Sequence, residues 1–536
     1  MRNLAVALIA ALPAVAAAAQ APSAYRAFEN KLAPVTFQYP TAYEELPLPP
    51  SEQVLVARYV LLDQPAELGH LEPAQFTLAR PRLFVFHFEP TGADKDGAPA
   101  GDPEPAAGRV GSFGDLLARL PGIVAFEDPR RPGFYTLRQE GADGGRLGFL
   151  VRRQQGGAEF GVYGFAPADY HRQLQAQLQF VGRSLGLTSV VAAARASDEI
   201  DRIYDRSDLR FLAQRKRARG DLARGWAAVD TANFLIVHHG ASAELLRRLA
   251  RDLEAMRALY ERAFPPAAPI ERLAVVRVCR NRDEYHLYGG PKDSSGFWHP
   301  GNEELVLFDF ASLAPKLDEA ARRRLEKANV RLPDDDTLVV LYHEAFHQFI
   351  HYAVGEFPPH DWFNEGYGDY FSGAEIGDGT GKVLRVDPSP WRIHLAKDMC
   401  EFGKDFVPLE QILKAERAQF YNPARIRFFY AGAWSFVYFL KHAKEAQAHP
   451  KWSRILSTYF ESMKADYPAE LGKFGSAPTM EHKAIAGAAV RKLALQKALD
   501  GVDVPELEKV WRQWVVDMKD PWPNKRAKPP KPQGGK

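Results

Sequence analysis

The sequence predicts an α+β fold in two parts: an N-terminal antiparallel sheet with a packed helix, then a mainly helical domain with a small mixed sheet. Two patterns carry that expectation. Up to about residue 187 apolar residues alternate in short runs, the period of half-buried strands; beyond about residue 226 they recur mostly at three- and four-residue spacing, the period of amphipathic helices. Length is the third observation, since 536 residues exceed the roughly 100 to 200 of one ordinary domain. With 46% hydrophobic and 25% charged residues the chain can bury a large core, which excludes global disorder. Lys plus Arg (69) nearly cancel Asp plus Glu (67), so no whole-molecule field favours nucleic acid as a partner.

Taken in order, residues 1–21 read as a secretory signal: Arg2 is followed by an apolar stretch from Leu4 to Leu12, and Ala16 to Ala21 offer small-residue cleavage sites. The expected location is periplasmic or secreted, with no integral membrane segment after cleavage. Residues 25–187 form an α+β accessory domain. Runs such as "LVARYVLL", "RLFVFHF" and "AEFGVYGFA" read as antiparallel strands, the Pro- and Gly-rich stretch 89–108 as a long loop, and "YHRQLQAQLQFVGRSLGL" as the helix that packs on the sheet. This order of elements resembles the small domain of the photosystem PsbP family, a resemblance that bears on fold alone. Residues 188–224, with "LAQRKRARGD", read as a charged, solvated helical linker, a basic patch being the alternative. The second domain spans 225–522, opening with the strands "NFLIVHHG" and "ERLAVVRVCR" around a long helix. Residues 523–536 are rich in Pro, Lys and Gly with almost nothing apolar, which reads as a disordered basic tail. Cys279 and Cys400 are the only cysteines, and a disulfide and two free thiols are both open.

The segment "DDDTLVVLYHEAFHQFIHYAVG" carries the chemistry. On a helix His343 and His347 share one face, so their ring nitrogens can converge on one ion. Glu344, about 100° around the helix, can reach a water at that ion without displacing it. Downstream, "HDWFNEGYGDYF" starts a second helix whose Glu365 can return as the third ligand. Asp369, one turn further on the same face, can hold the free nitrogen of a ligating His. Three other candidates are weaker. His351 lies too far along the axis to share an ion with His343, and His360 lacks the spacing of a third histidine ligand. His238 and His239 are neighbours on a strand and point to opposite faces.

These residues resemble the gluzincin metallopeptidases, the thermolysin-like superfamily defined by H-E-x-x-H and a downstream Glu. His343, Glu344 and His347 match the first motif, and Asn364, Glu365, Gly366 and Asp369 match N-E-G-x-x-D. A more local likeness is to secreted bacterial gluzincins with a "YAQxW"-like segment, here "YAGAW" at Tyr430–Trp434, with Gly432 departing from it. The resemblance covers about 300 residues, Trp226 to Trp522. It implies a zincin-type domain holding Zn2+ on His343, His347 and Glu365, with the fourth position open to water and Glu344 as general base. It also implies that Tyr430 serves as oxyanion donor, with Tyr421 in reserve, and that Glu304–Phe310 is the edge strand along which an extended peptide lies. The expected function is a zinc peptidase acting on peptide or protein substrates, endopeptidase rather than aminopeptidase. "GNEEL" at Gly301–Leu305 only faintly suggests the acidic motif that holds a free amine. The alternative is a non-catalytic envelope binding protein that keeps the zinc domain as a scaffold.

Overall fold

The computed structural model describes residues 24–521 except 29–33, 49–54, 62–79, 89–111, 119, 121, 140–145, 206, 293, 300–302, 314–332 and 378–379. The signal at 1–21, the loop at 89–108 and the tail at 523–536 therefore lie outside the described residues. The fold is α+β, with an antiparallel N-terminal part and a helical C-terminal part around a small mixed sheet.

The N-terminal sheet has seven strands, all paired antiparallel, in the spatial order Tyr43–Leu46, Leu55–Leu61, Arg82–Phe88, Ala158–Phe165, Arg146–Gln155, Phe134–Gln139, Ile123–Glu127. Strand alternation sends successive residues to opposite faces. Val85 joins Phe160, Val162, Leu174, Leu178 and Val181 under the helix His171–Ser184, whereas Phe86 joins Phe113, Leu116, Leu150 and Tyr163 on the other side. Each fully buried side chain of this kind contributes roughly 1.5–3 kcal/mol. The helix lies close to the sheet at Gly182, where an added Cβ would fall 2.6 Å from Val151.

Residues 188–224 contain two helices, Val190–Tyr204 and Leu212–Gly220. Arg215 in the second is fully buried: Nη1 donates to Asp230 Oδ1 (2.7 Å) and the Phe234 carbonyl (3.0 Å), and Nη2 to the Thr231 and Ala232 carbonyls. This charged segment is therefore anchored to the next sheet and is not solvated along its whole length. A buried guanidinium is tolerable here because each nitrogen named finds an oxygen.

The second sheet has five strands in the order Trp226–Asp230, Phe234–His239, Ala274–Cys279, Glu304–Phe308, Gly296–His299; the two inner pairings are parallel and the two outer ones antiparallel. Glu304–Phe308 is thus an interior strand, which corrects the edge-strand expectation. Its five residues are all buried, and among the described residues the edges are Gly296–His299 beside it and Trp226–Asp230 at the far side. Cys279 and Cys400 are buried free thiols.

Helix Ala243–Ala263, capped by the Ser242 hydroxyl accepting from the Leu245 N–H (3.1 Å), packs against helix Pro333–Val354. Two buried tyrosines tie them: Tyr260 donates to the Tyr342 carbonyl (2.7 Å) and Tyr342 to Asp252 (2.7 Å). Gly355, at φ 112°, ends the second of these helices in a conformation that side chains avoid. Helix Asp361–Phe371 then turns back, buried along its whole length, against helix Ile426–His442. Among the described residues no helix is long and apolar enough to cross a membrane.

Candidate metal centre

Helical periodicity places His343 and His347 on one face of Pro333–Val354, with ring centroids 4.6 Å apart. Helix Asp361–Phe371 delivers Glu365 to the same point: its Oε2 lies 3.0 Å from His343 Nε2 and 3.3 Å from His347 Nε2. Glu344 offers an oxygen within 4.8 Å of donor atoms on both histidines. Two imidazole nitrogens and one carboxylate oxygen are the His2Glu donor set of a catalytic zinc site, so the side chains present fit that ion.

The surroundings fix the ring orientations. His343 Nδ1 lies 3.2 Å from Asp369 Oδ1, and His347 Nδ1 lies 3.0 Å from Asn364 Oδ1, which leaves both Nε2 atoms directed at Glu365. Asp369 is braced by Arg392, whose Nε donates at 2.6 Å. Gly368 permits this approach, because an added Cβ would sit 2.8 Å from the His343 ring.

Charge follows from the geometry. Burial opposes a charged His343 ring, yet the Asp369 and Glu365 carboxylates overcome it and hold the group up at about 10. Glu365 is pushed up by burial but held well below the usual carboxylate range by His347 and His343. Burial raises Glu344 above that range, against the pull of His347, His343 and the Trp298 backbone N–H. Such a carboxylate is a stronger base than an exposed one.

The two tyrosines part company. The Tyr421 hydroxyl donates to Glu365 Oε1. Tyr430 lies parallel to the His343 ring, at a centroid distance of 6.3 Å, and among the described residues its hydroxyl has no hydrogen-bond partner. The remaining histidines are accounted for elsewhere. His360 shares the Tyr459 hydroxyl (2.9 Å), and His351 packs beside Trp298 and Tyr352, where burial lowers it to about 4.

Sequence reasoning missed Arg392, which no motif marks, and the bracing role of Asn364, which the N-E-G triplet contained. It also missed the edge strand. Gly296 and Trp298 sit directly over the site helix: a Cβ on Gly296 would meet Val340 at 2.4 Å and Glu344 at 3.1 Å. The carboxylates of "GNEEL" are both engaged, Glu303 by Arg272 (2.6 Å) and Glu304 by Arg277 (2.7 Å) and the Tyr288 hydroxyl.

A second His/carboxylate cluster joins the N-terminal sheet to the second sheet: Glu44, His239 and Glu284 offer donor atoms within 4.8 Å of one another. His239 Nδ1 lies 2.6 Å from Glu284, and Arg280 Nη2 donates to Glu44 at 2.9 Å. His238 precedes His239 on the strand Phe234–His239, so alternation turns it to the opposite face, and among the described residues its buried Nδ1 has no hydrogen-bond partner. No family model matches the chain, and a search of curated proteins finds no relative.

Proposed function

We propose that this protein is a zinc-dependent peptidase, secreted or periplasmic, of the gluzincin type. The observation that carries the reading is the convergence of His343, His347 and Glu365 from two helices, with Glu344 beside them. When bound, zinc supplies Lewis-acid polarisation of a carbonyl and lowers the pKa of a water toward about 7. The chain's own residues do the rest. Glu344 takes the proton of the attacking water and returns it to the leaving amine. Tyr430 donates its free hydroxyl to the oxygen that gains charge. Asp369 and Asn364 hold the histidine rings so that Nε2 faces the centre.

Substrate backbone would pair with Gly296–His299, an edge strand among the described residues, which gives affinity with little demand on sequence. Engagement of Glu303 and Glu304 by arginines argues against an amine-holding role for "GNEEL" and so favours an endopeptidase over an aminopeptidase. The test is Glu344→Gln with zinc content and cleavage of an N-acetylated peptide measured together. The variant should keep zinc and lose hydrolysis by about a thousandfold or more. A zinc-loaded variant of full activity would refute the role of Glu344. Zinc without turnover in the wild type would favour the scaffold reading.

A further inference from the structure

The inference concerns substrate choice and rests on the peptidase reading. The segment from Glu416 to Tyr430, "ERAQFYNPARIRFFY", carries three arginines and one acidic residue. Arg425 donates to the Phe406 carbonyl (3.4 Å) and Arg427 lies over Phe428, so both are turned to local partners. Arg417 differs. Its guanidinium lies 4.5 Å from the centroid of the Tyr421 ring, and the hydroxyl of that ring donates to the metal-ligand candidate Glu365. Tyr421 therefore links this cation to Glu365.

Arg417 is held in place without being used up. Nη1 donates to Asp361 Oδ1 at 3.2 Å, and Asp361 opens the helix that carries Glu365. The Arg417 side chain nevertheless remains 71% exposed, whereas Asp361 is 9% exposed. A guanidinium has five N–H donors in a planar fork, and stacking on an aromatic ring pre-orients that plane. Among the described residues one donor is engaged, with Asp361, and the others can donate to a carboxylate. Partial burial weakens the charge, but Tyr421, Asp361, Glu365 and Tyr430 around it more than restore it. Arg392, a second cation beside the centre, is only 21% exposed: it donates to Asp369 and packs over Tyr430.

We propose that Arg417 selects substrates carrying a carboxylate beside the scissile bond, either an acidic side chain or the C-terminal carboxylate. The experiment uses the full-length zinc enzyme and a set of N-acetylated peptides. These have Glu, Gln or Lys at each position flanking the cleaved bond, and a free or amidated C-terminus. The wild type should favour Glu over Gln in kcat/KM by about tenfold at one position, or the free acid over the amide by as much. Arg417→Ala should bring that ratio near one, Arg417→Lys should keep part of it, and Arg417→Glu should turn the preference toward Lys. Zinc content reports whether each variant keeps its site. Cleavage with equal ratios in wild type and zinc-loaded variants overturns this assignment and leaves the peptidase reading standing. Failure of the wild type to cut any member of the set overturns both.

Discussion

Two clusters of imidazole and carboxylate groups in this molecule differ in what they have been given to balance their charge. Around His343, His347 and Glu365 the cation Arg392 lies outside the donors and donates to Asp369, behind His343. Around His239, Glu44 and Glu284 a cation is already inside: Arg280 contacts Glu44 at 2.9 Å and Glu284 at 3.8 Å, and its backbone N–H donates to Glu284 at 2.6 Å. The same donor types thus make a candidate metal centre in one place and an inter-sheet ion pair in the other. What separates them is where the compensating charge sits.

The largest effect expected from this comparison is at the third candidate ligand. Glu365→Gln removes the anionic donor between the histidines, and zinc affinity should fall by at least about a hundredfold, measured by chelator competition. A variant that holds zinc as tightly as the wild type would remove Glu365 from the ligand set. Asp369→Ala should cost roughly ten- to a hundredfold in the same assay. It also carries a signature in pH. Asp369 helps hold the metal-free His343 proton up to about 10, so zinc must displace that proton and apparent affinity rises with pH up to that value. Without Asp369 the His343 group titrates lower, and the rise should level off at lower pH; an unchanged profile would deny Asp369 this role.

The smallest effect is at the second cluster. Arg280→Gln removes a partly exposed ion pair worth about 0–1 kcal/mol, and thermal unfolding should shift by only a few degrees at most. With the internal cation gone, the Glu44, His239 and Glu284 donors should accept a second, weak zinc equivalent. Equilibrium dialysis that finds one zinc per chain in both proteins would show that Arg280 is not what keeps metal out.

Much of the candidate centre was legible before folding is considered. The i, i+4 spacing of His343 and His347 makes their convergence a property of any helix, and Asp369 follows from Glu365 by the same rule. The tyrosine choice was not legible, because Tyr421 and Tyr430 flank one turn and their hydroxyl partners depend on how that turn packs. The edge strand was misassigned for a physical reason. Leu305, Val306 and Leu307 run without polar alternation, the mark of a strand covered on both faces, whereas the edge carries the shorter Gly296–His299. Arg215 looked like part of a solvated charge run because its partners, Asp230 and three carbonyls, come from a turn further along the chain.

Local periodicity by itself determined the α+β class and the helix bearing the paired histidines, since these depend on neighbours within a turn or two. Only the tertiary structure decided that Arg392 braces Asp369, that Arg280 occupies the second cluster and that Arg417 stands across one ring from Glu365. These contacts join residues tens to hundreds of positions apart, and their strength depends on distance and burial, which spacing along the chain does not encode.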